Sequence, residues 1–126
     1  MKPEPFKLIL PFNLYPDGGP ESKVVGLGIA RYEKGGLAVF LIFENNRGLP
    51  VSVPLPEFEE QVGADEFFLK NWADGAHAAK RLHEEGVVSA SNKPSVNFGR
   101  GQAPIVKLNW GKLMQFTEQE KTKYHP

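Results

Sequence analysis

The densest group of residues that could do chemistry lies in KNWADGAHAAKRLHEEGVV, residues 70–88, which holds two of the three histidines. Histidine is a common general base and metal ligand, so this stretch is the first candidate for an active site. His77 and His83 are six positions apart, so they point about 120° apart around a helix and cannot share a metal as an i, i+4 pair can. The chain has no cysteine, and no local serine sits in a strained turn. We therefore predict no catalytic or metal-ligating residue here, but a surface helix with a solvated His77 and a half-buried His83.

The faces of this helix, expected at about 75–85, separate into a polar and a small-residue side. Ala76, Ala79 and Leu82 fall in one arc, with Gly86 expected as the residue that ends the helix. Small side chains let a helix approach a sheet closely. The predicted strand at 23–33 offers a matching face of small residues, which are Gly26, Gly28 and Ala30.

Candidate binding residues lie at the entrance of the helix and in a later glycine-rich segment. Asn71, Trp72 and Asp74 stand where a strand is expected to give way to the helix. Arg100 lies between two glycines beside Phe98, a layout that could present a cation and a stacking ring to RNA or to a phosphate. The alternative is a flexible hairpin or loop with a solvent-facing arginine.

The two tryptophans and one histidine could line a pocket between the helix and the sheet. These are Trp72, Trp110 and His83. Large aromatic residues in a domain of this size also serve in the hydrophobic core, so a purely structural role remains the alternative for both tryptophans.

The elements that must position these residues are mostly strands. Alternating apolar residues flank Gly35 and Gly36, which can take the positive φ of a tight turn, so residues 23–33 and 37–44 are expected to form a hairpin. Pro50 and Pro54 cannot donate to a ladder and place residues 49–55 at a sheet edge. The remaining extended segments expected are 6–10, stopped by Pro11, then 67–72, 87–90 and 103–110. The alternative for 67–72 is the first turns of a longer helix.

These elements predict an α+β fold, an antiparallel, curved sheet forming a meander of about five or six strands packed against one main helix. The 126 residues are expected to form a single domain, with an irregular strand and loop at 1–22 and a frayed tail at 117–126.

The charge balance and the apolar runs limit the classes of partner. Fifteen basic and fifteen acidic side chains give zero formal net charge, which argues against nucleic acid as a partner. The longest apolar run is LAVFLIF, far short of a membrane span, and the N-terminus lacks the pattern of a signal peptide. A cytoplasmic location and no cofactor are the expectations.

The segment 70–88 also resembles a group of small uncharacterised proteins encoded on mobile elements such as plasmids, phages and integron gene cassettes. The resemblance covers the layout of residues 35–110. It runs without gaps through Lys70, Asn71, an aromatic at Trp72, Asp74, Leu82 and the run Gly86, Val87 and Val88. It implies a mobile-gene origin and one main helix against a curved sheet. The group has no known activity, so the resemblance assigns no site residue.

Three functions follow as hypotheses. The preferred one is a non-enzymatic accessory domain that binds a macromolecule, most simply a protein, with a possible homodimer through edge strands. The alternatives are a small-molecule-binding domain or enzyme with a pocket between helix and sheet, and an RNA or single-strand binder.

Overall fold

The computed structural model describes residues 3–15, 17–18, 22–33, 36–73, 75–99 and 101–124, with Tyr124 described by its backbone alone. The predicted site residues Asp74 and Arg100 lie outside the described residues, as does Gly35.

Ten strands and two α-helices lie within the described residues. In chain order they are β1 (Glu4–Asn13), β2 (Lys23–Arg31), β3 (Leu37–Phe43), β4 (Gly48–Pro50), β5 (Glu66–Phe68), α1 (Gly75–Glu84), β6 (Val88–Ala90), β7 (Val96–Phe98), β8 (Gly101–Ala103), β9 (Ile105–Leu108), β10 (Leu113–Gln115) and α2 (Glu118–Tyr124). Two 3₁₀ helices span Pro56–Gln61 and Trp110–Lys112.

The strands form three antiparallel sheets. The largest has the order β10-β1-β2-β3-β4, a second has the order β5-β9-β6, and β7 pairs with β8. The prediction of an antiparallel α+β fold is confirmed at this level. The strands are, however, divided among three sheets instead of joining a single one, because the chain after β4 pairs with new partners.

The hairpin of β2 and β3 is confirmed, and Gly36 has the positive φ of +74° that the turn requires. β3 lies inside the sheet and is apolar on both faces, as expected for an interior strand. A register shift between Val24 and Gly26 breaks the alternation of β2. Val24 is therefore fully buried with Leu27 and Ile29, whereas Val25 is only partly buried.

Four predicted strands have wrong bounds. The strands expected at 67–72 and 103–110 shrink to β5 (Glu66–Phe68) and β9 (Ile105–Leu108), because Pro104 separates β9 from β8 and Trp110 begins a 3₁₀ helix. The other two are wrong for different reasons. β1 does not stop at Pro11 but runs to Asn13, because its register with β2 breaks between Lys7 and Phe12 and a proline there interrupts no ladder. The predicted strand at 49–55 shrinks to β4, which does lie at the sheet edge. The residues after it leave β3 and turn toward β5.

Residues 51–53 join the five-stranded sheet to the three-stranded one. The N–H of Val51 donates to the carbonyl of Val39 in β3, over 3.0 Å. On its other side this segment bonds the chain of β5: Lys70 N–H donates to Val51 and Val53 N–H donates to Phe68. The buried hydroxyl of Ser52 accepts the N–H of Val39. These bonds fix β5, and the residues after it, relative to the large sheet.

Helix α1 begins and ends close to the predicted residues. Gly86 has φ of +71°, its N–H donates to His83, and Val87 N–H donates to Leu82, the two bonds of a Schellman cap. The buried side is Gly75, Ala78, Ala79 and Leu82, an i, i+3, i+4, i+7 stripe. Ala76, which the helical wheel places on the buried side, is exposed. Ala78, Ala79 and Leu82 share a core cluster with Leu8, Leu27 and Leu41.

The small-residue face of β2 meets a different partner from the one expected. A Cβ added at Gly26 would lie 2.9 Å from the ring of Phe116, and one at Gly28 would lie 3.2 Å from Pro3. The small residues of α1 therefore do not cover these glycines. The sequence could not reveal this, because Phe116 lies ninety residues further along the chain.

The segment predicted to be a frayed tail contains α2. Thr117 and Glu120 form a capping box: Thr117 N–H donates to the Glu120 carboxylate, and Glu120 N–H donates to the Thr117 hydroxyl. Lys7 of β1 contacts the same carboxylate at 3.0 Å. The hydrogen bonds from Thr117 and Lys7 lower the pKa of Glu120. With Phe116 on Gly26, these contacts hold the C-terminal segment on the large sheet.

We expect Ala79→Leu to lower the free energy of unfolding by about 1–3 kcal/mol, because Ala79 is buried in the main cluster and the added atoms must displace packed neighbours. Ala76→Leu is the matched control, since it makes the same change at an exposed position of the same helix. Urea unfolding of both variants measures the difference. Equal effects at the two positions would contradict this packing of α1.

Candidate functional site

Three of the predicted binding residues meet in one open hollow of about 920 Å³. Asn71 and Trp72 follow β5, whereas Phe98 belongs to the β7–β8 hairpin. We call this hollow the aromatic–amide groove. Its lining is completed by residues of the same hairpin, which are Asn97, Gly99, Gly101 and Gln102.

The two rings of the groove stand on a hydrophobic base. The centroids of Trp72 and Phe98 are 5.0 Å apart, with an angle of 49° between the ring planes. Both side chains are half-buried and pack against a second core cluster, formed by Leu55, Phe68, Val96, Ala103 and Ile105. A pair packed in this way presents apolar ring surface to a ligand while losing little side-chain entropy on binding.

Amide side chains supply the polar chemistry of the groove. The side-chain N–H₂ of Gln102 donates to the Asn97 carbonyl oxygen at 2.9 Å, across the β7–β8 hairpin, and both residues are exposed. An amide side chain carries both donors and acceptors, so this one bond leaves the N–H₂ of Asn97 and the carbonyl of Gln102 able to pair with a ligand. None of the described lining residues is charged.

The turn that carries Asn71 and Trp72 has an unusual backbone. Ala73 has φ of +52°, a left-handed conformation that costs an alanine roughly 1 kcal/mol. Gly75 N–H donates to the Trp72 carbonyl at 2.9 Å, and a Cβ on Gly75 would lie 2.8 Å from the carbonyl of Lys70. The turn is thus tight enough to need a glycine. Strained backbone of this kind occurs often at functional sites.

A buried carboxylate ties the two sides of the groove together. Glu66, in β5, accepts hydrogen bonds from the Gly63 N–H at 2.7 Å, the Ser91 hydroxyl at 2.6 Å and the Lys93 ammonium at 2.5 Å. β5 leads to Trp72, and the segment with Ser91 and Lys93 leads to β7 and Phe98. Burial alone would raise the pKa of Glu66, but these three donors outweigh it and lower the pKa to about 2.

The other predicted site residues lie elsewhere. His83 is exposed on α1 rather than half-buried. Trp110 is 41% exposed and packs edge-on against Phe6, in a hollow separate from that of Trp72. Among the described residues, Trp72, His83 and Trp110 do not share a pocket.

His77 is not the solvated residue that the sequence predicts. Its ring stacks on Tyr15 with centroids 4.7 Å apart, and its Nε2–H donates to the Leu14 carbonyl. Arg81, one turn further, donates to the Asn13 carbonyl at 3.1 Å. These polar residues of α1 fasten the chain after β1 to the helix. The expected partner of His77, Asp74, lies outside the described residues.

Sequence reasoning missed Asn97, Gln102 and Glu66. For Asn97 and Gln102 the sequence did contain one signal, which is Gly99. In the structure Phe98 pairs with Gly101, and Gly99 begins the turn between them with φ of +49°. A glycine there is typical of a hairpin, which would have placed Asn97 opposite Gln102. Nothing in the sequence distinguishes Glu66 from the solvated carboxylates near it.

The described residues show neither a metal-binding cluster nor a membrane-spanning helix. They contain no group of three or more histidine, aspartate or glutamate side chains placed to hold a metal ion. No described helix has the length and apolar character needed to cross a membrane.

Comparison with known proteins finds no relationship for this chain. No family model, no curated protein and no solved structure matches it. The resemblance to mobile-element proteins therefore stays a prediction.

We expect the stability of the protein to fall in acid through Glu66. Folding lowers its pKa from 4.5 to about 2, so the ionised carboxylate stabilises the folded state above pH 4.5, and this contribution is lost as the pH falls toward 2. Solvent screens the exposed Lys93, which reduces the contribution of this shift to about 1–3 kcal/mol. Glu66→Gln should lower stability at pH 7 and flatten the pH dependence in this window.

Denaturant unfolding at pH values from 7 to 2.5 measures both effects, with the exposed Glu57→Gln as the control. If Glu66→Gln kept the acid loss of the unchanged protein, the carboxylate would not be the group responsible.

Proposed function

We propose that this protein is a non-enzymatic binding domain that holds an extended segment of a protein partner in the aromatic–amide groove. One observation carries the proposal. Residues from two distant parts of the chain, 71–72 and the described residues of 97–102, form a single open surface with a packed aromatic pair and amide groups that keep unused donors and acceptors.

The aromatic pair suits an extended peptide with proline or aliphatic side chains. Tryptophan rings backed by a core provide broad apolar contact, and proline-rich segments bind in aromatic-lined grooves because their extended form is already ordered. The groove is open along the hairpin, so a chain could enter and leave it without threading.

The amide groups suit the backbone of such a segment. A peptide offers an N–H and a C=O at most residues, and the Asn97 and Gln102 side chains can pair with either. The described lining carries no charge, and the chain has zero net charge. Nucleic-acid affinity depends on phosphate neutralisation, so both facts favour a peptide over RNA.

Three further expectations remain part of the proposal. We place the protein in the cytoplasm, since it lacks cysteine. We propose that the gene comes from a mobile element, because residues 70–88 resemble proteins encoded on such elements. We also keep α1 as the main helix against the large sheet, because Ala78, Ala79 and Leu82 join the core cluster of that sheet.

Selection from a displayed library of random twelve-residue peptides tests the function. We expect the unchanged protein to enrich peptides with proline or aromatic residues, and Trp72→Ala to weaken their binding at least about tenfold, the loss of one aromatic anchor. Asn97→Ala, at an exposed position, should weaken the same peptides with less risk to the fold.

Trp110→Ala is the matched control, because it removes an exposed tryptophan outside the groove. Equal losses from Trp72→Ala and Trp110→Ala would contradict the site. Binding of a twelve-residue oligouridylate that falls steeply with salt, together with failure to enrich peptides, would instead favour a nucleic-acid binder.

We also propose a homodimer through the large sheet. Its outer strands are β4 and β10. Beside β10, the register of β1 with β2 breaks, so that residues 8–11 of β1 lie opposite the single residue Val25. In this segment Ile9 is 48% exposed and Leu10 is 71% exposed. Light scattering at high micromolar concentration should give twice the 14.0 kDa chain mass, and Leu10→Lys should give the monomer. A monomer in the unchanged protein would refute the dimer.

A further inference from the structure

The core-facing side of the large sheet ends in an open hollow of about 450 Å³. Glu4 of β1 pairs with the buried Ile29 of β2, so the two side chains lie on the same face. Alternation along β2 places Arg31 on this face too, and it pairs with Leu37 of β3. We call this space the Trp110 hollow. Its described lining is Glu4, Phe6, Ile29, Ala30, Arg31, Leu37 and Trp110.

The floor and one wall of the Trp110 hollow are apolar. Ile29 and Leu37 are buried, and the partly buried Phe6 packs against the main core cluster. Trp110 begins the 3₁₀ helix after β9 and packs edge-on against Phe6, with ring centroids 5.6 Å apart, yet it keeps 41% of its surface exposed. An indole that rests on the core and keeps this much open surface can contact an aliphatic or aromatic side chain.

Two opposite charges border the hollow without pairing with each other. Glu4 and Arg31 are diagonal neighbours across β1 and β2, a spacing of roughly 7 Å. Arg31 Nη1–H donates instead to the Ala64 carbonyl at 2.8 Å. Neither side chain forms an ion pair with another described residue. A guanidinium has five N–H donors, so this one bond leaves Arg31 able to bind a carboxylate.

The order of these groups matches one kind of small molecule. An α-amino acid carries an ammonium and a carboxylate on the same carbon atom, together with its side chain. The ammonium can donate to Glu4 while the carboxylate accepts from Arg31, and the side chain then lies on the apolar floor beside Trp110. The N-terminal residue of a peptide has no carboxylate at this position, and a fatty acid has no ammonium.

We propose that the Trp110 hollow binds a free α-amino acid with a large apolar side chain. A volume of 450 Å³ corresponds to roughly fifteen water molecules, which accommodates one amino acid of this kind. The hollow shares no lining residue with the aromatic–amide groove, so the inference goes beyond the proposed peptide binding and does not depend on it.

The test uses L-phenylalanine as the probe and the full chain labelled with ¹⁵N. The chain has two tryptophans, so two indole N–H signals report on the two hollows separately. We expect the Trp110 indole and the amides of Ile29 and Leu37 to shift and to saturate in the millimolar range, as a small ligand in an open site allows. The Trp72 indole should not move.

Chemical variants of the probe separate the contributions of its groups. N-acetyl-L-phenylalanine lacks the ammonium and L-phenylalaninamide lacks the carboxylate, so each should bind about three- to fivefold more weakly, the effect of one exposed ion pair. L-alanine should bind at least about fivefold more weakly, because its methyl group leaves Trp110 and the floor uncovered.

Variants of the protein assign each charge to its partner. Glu4→Gln should remove the difference between L-phenylalanine and its N-acetyl form, and Arg31→Gln should remove the difference between L-phenylalanine and its amide. Glu57→Gln and Lys80→Gln are the matched controls at exposed positions outside the hollow, and both differences should persist in them. Glu4→Gln keeps the test decisive if loss of the bond to Ala64 unfolds Arg31→Gln.

Three outcomes would overturn the proposal. The first is no saturable shift of the Trp110 indole at tens of millimolar L-phenylalanine. The second is equal binding of L-phenylalanine, its N-acetyl form and its amide, which would show a purely apolar contact. The third is a shift pattern centred on Trp72 and Phe98, which would assign the probe to the aromatic–amide groove.

Discussion

The hydrogen bonds of one buried carboxylate, that of Glu66, join the two segments of the chain that carry the proposed binding groove. Its donors come from the loop before β5 and from the segment before β7: the Gly63 N–H, the Ser91 hydroxyl and the Lys93 ammonium. A buried carboxylate without donors would destabilise the fold strongly, so these groups are held together by necessity. β5 leads to Trp72 and the other segment leads to Phe98, so these bonds connect the segments whose rings lie 5.0 Å apart.

The rest of the architecture supports that arrangement. Residues 51–53 bond β3 on one side and the chain of β5 on the other, which connects the groove to the large sheet. A separate core cluster lies directly under Trp72 and Phe98. The described residues above it present two aromatic rings and uncharged amide side chains on an open surface, so the same segment is packed below and accessible above. Such a division suits the binding surface that we propose.

Local signals were enough to predict local structure. Gly36 and Gly86 have the positive φ that their positions in the sequence imply, and the β2–β3 hairpin follows. The capping box of Thr117 and Glu120 is equally local, and reading it would have predicted α2 in place of a frayed tail. The phase of α1 was off by part of a turn, because short alanine-rich helices contain too few large residues to define their buried side.

Contacts between distant segments could not be predicted in this way. The sequence identified Trp72 and Phe98 separately, but their meeting depends on Glu66 and on the pairing of β5 with β9. Gly26 and Gly28 indicated a face that another group approaches closely, yet only the fold shows that Phe116 covers Gly26 and Pro3 covers Gly28. Composition and periodicity carry no information about which side chain from a distant part of the sequence will pack at a given position.

The central claim, that the aromatic–amide groove is the binding surface for a peptide, is tested most directly by mapping a bound peptide onto the protein at residue level. Hydrogen–deuterium exchange or amide shift mapping with a library-selected peptide would serve. The account predicts that the changes concentrate at Asn71, Trp72 and the hairpin from Asn97 to Gln102. Changes concentrated on α1, with the groove unaffected, would contradict it.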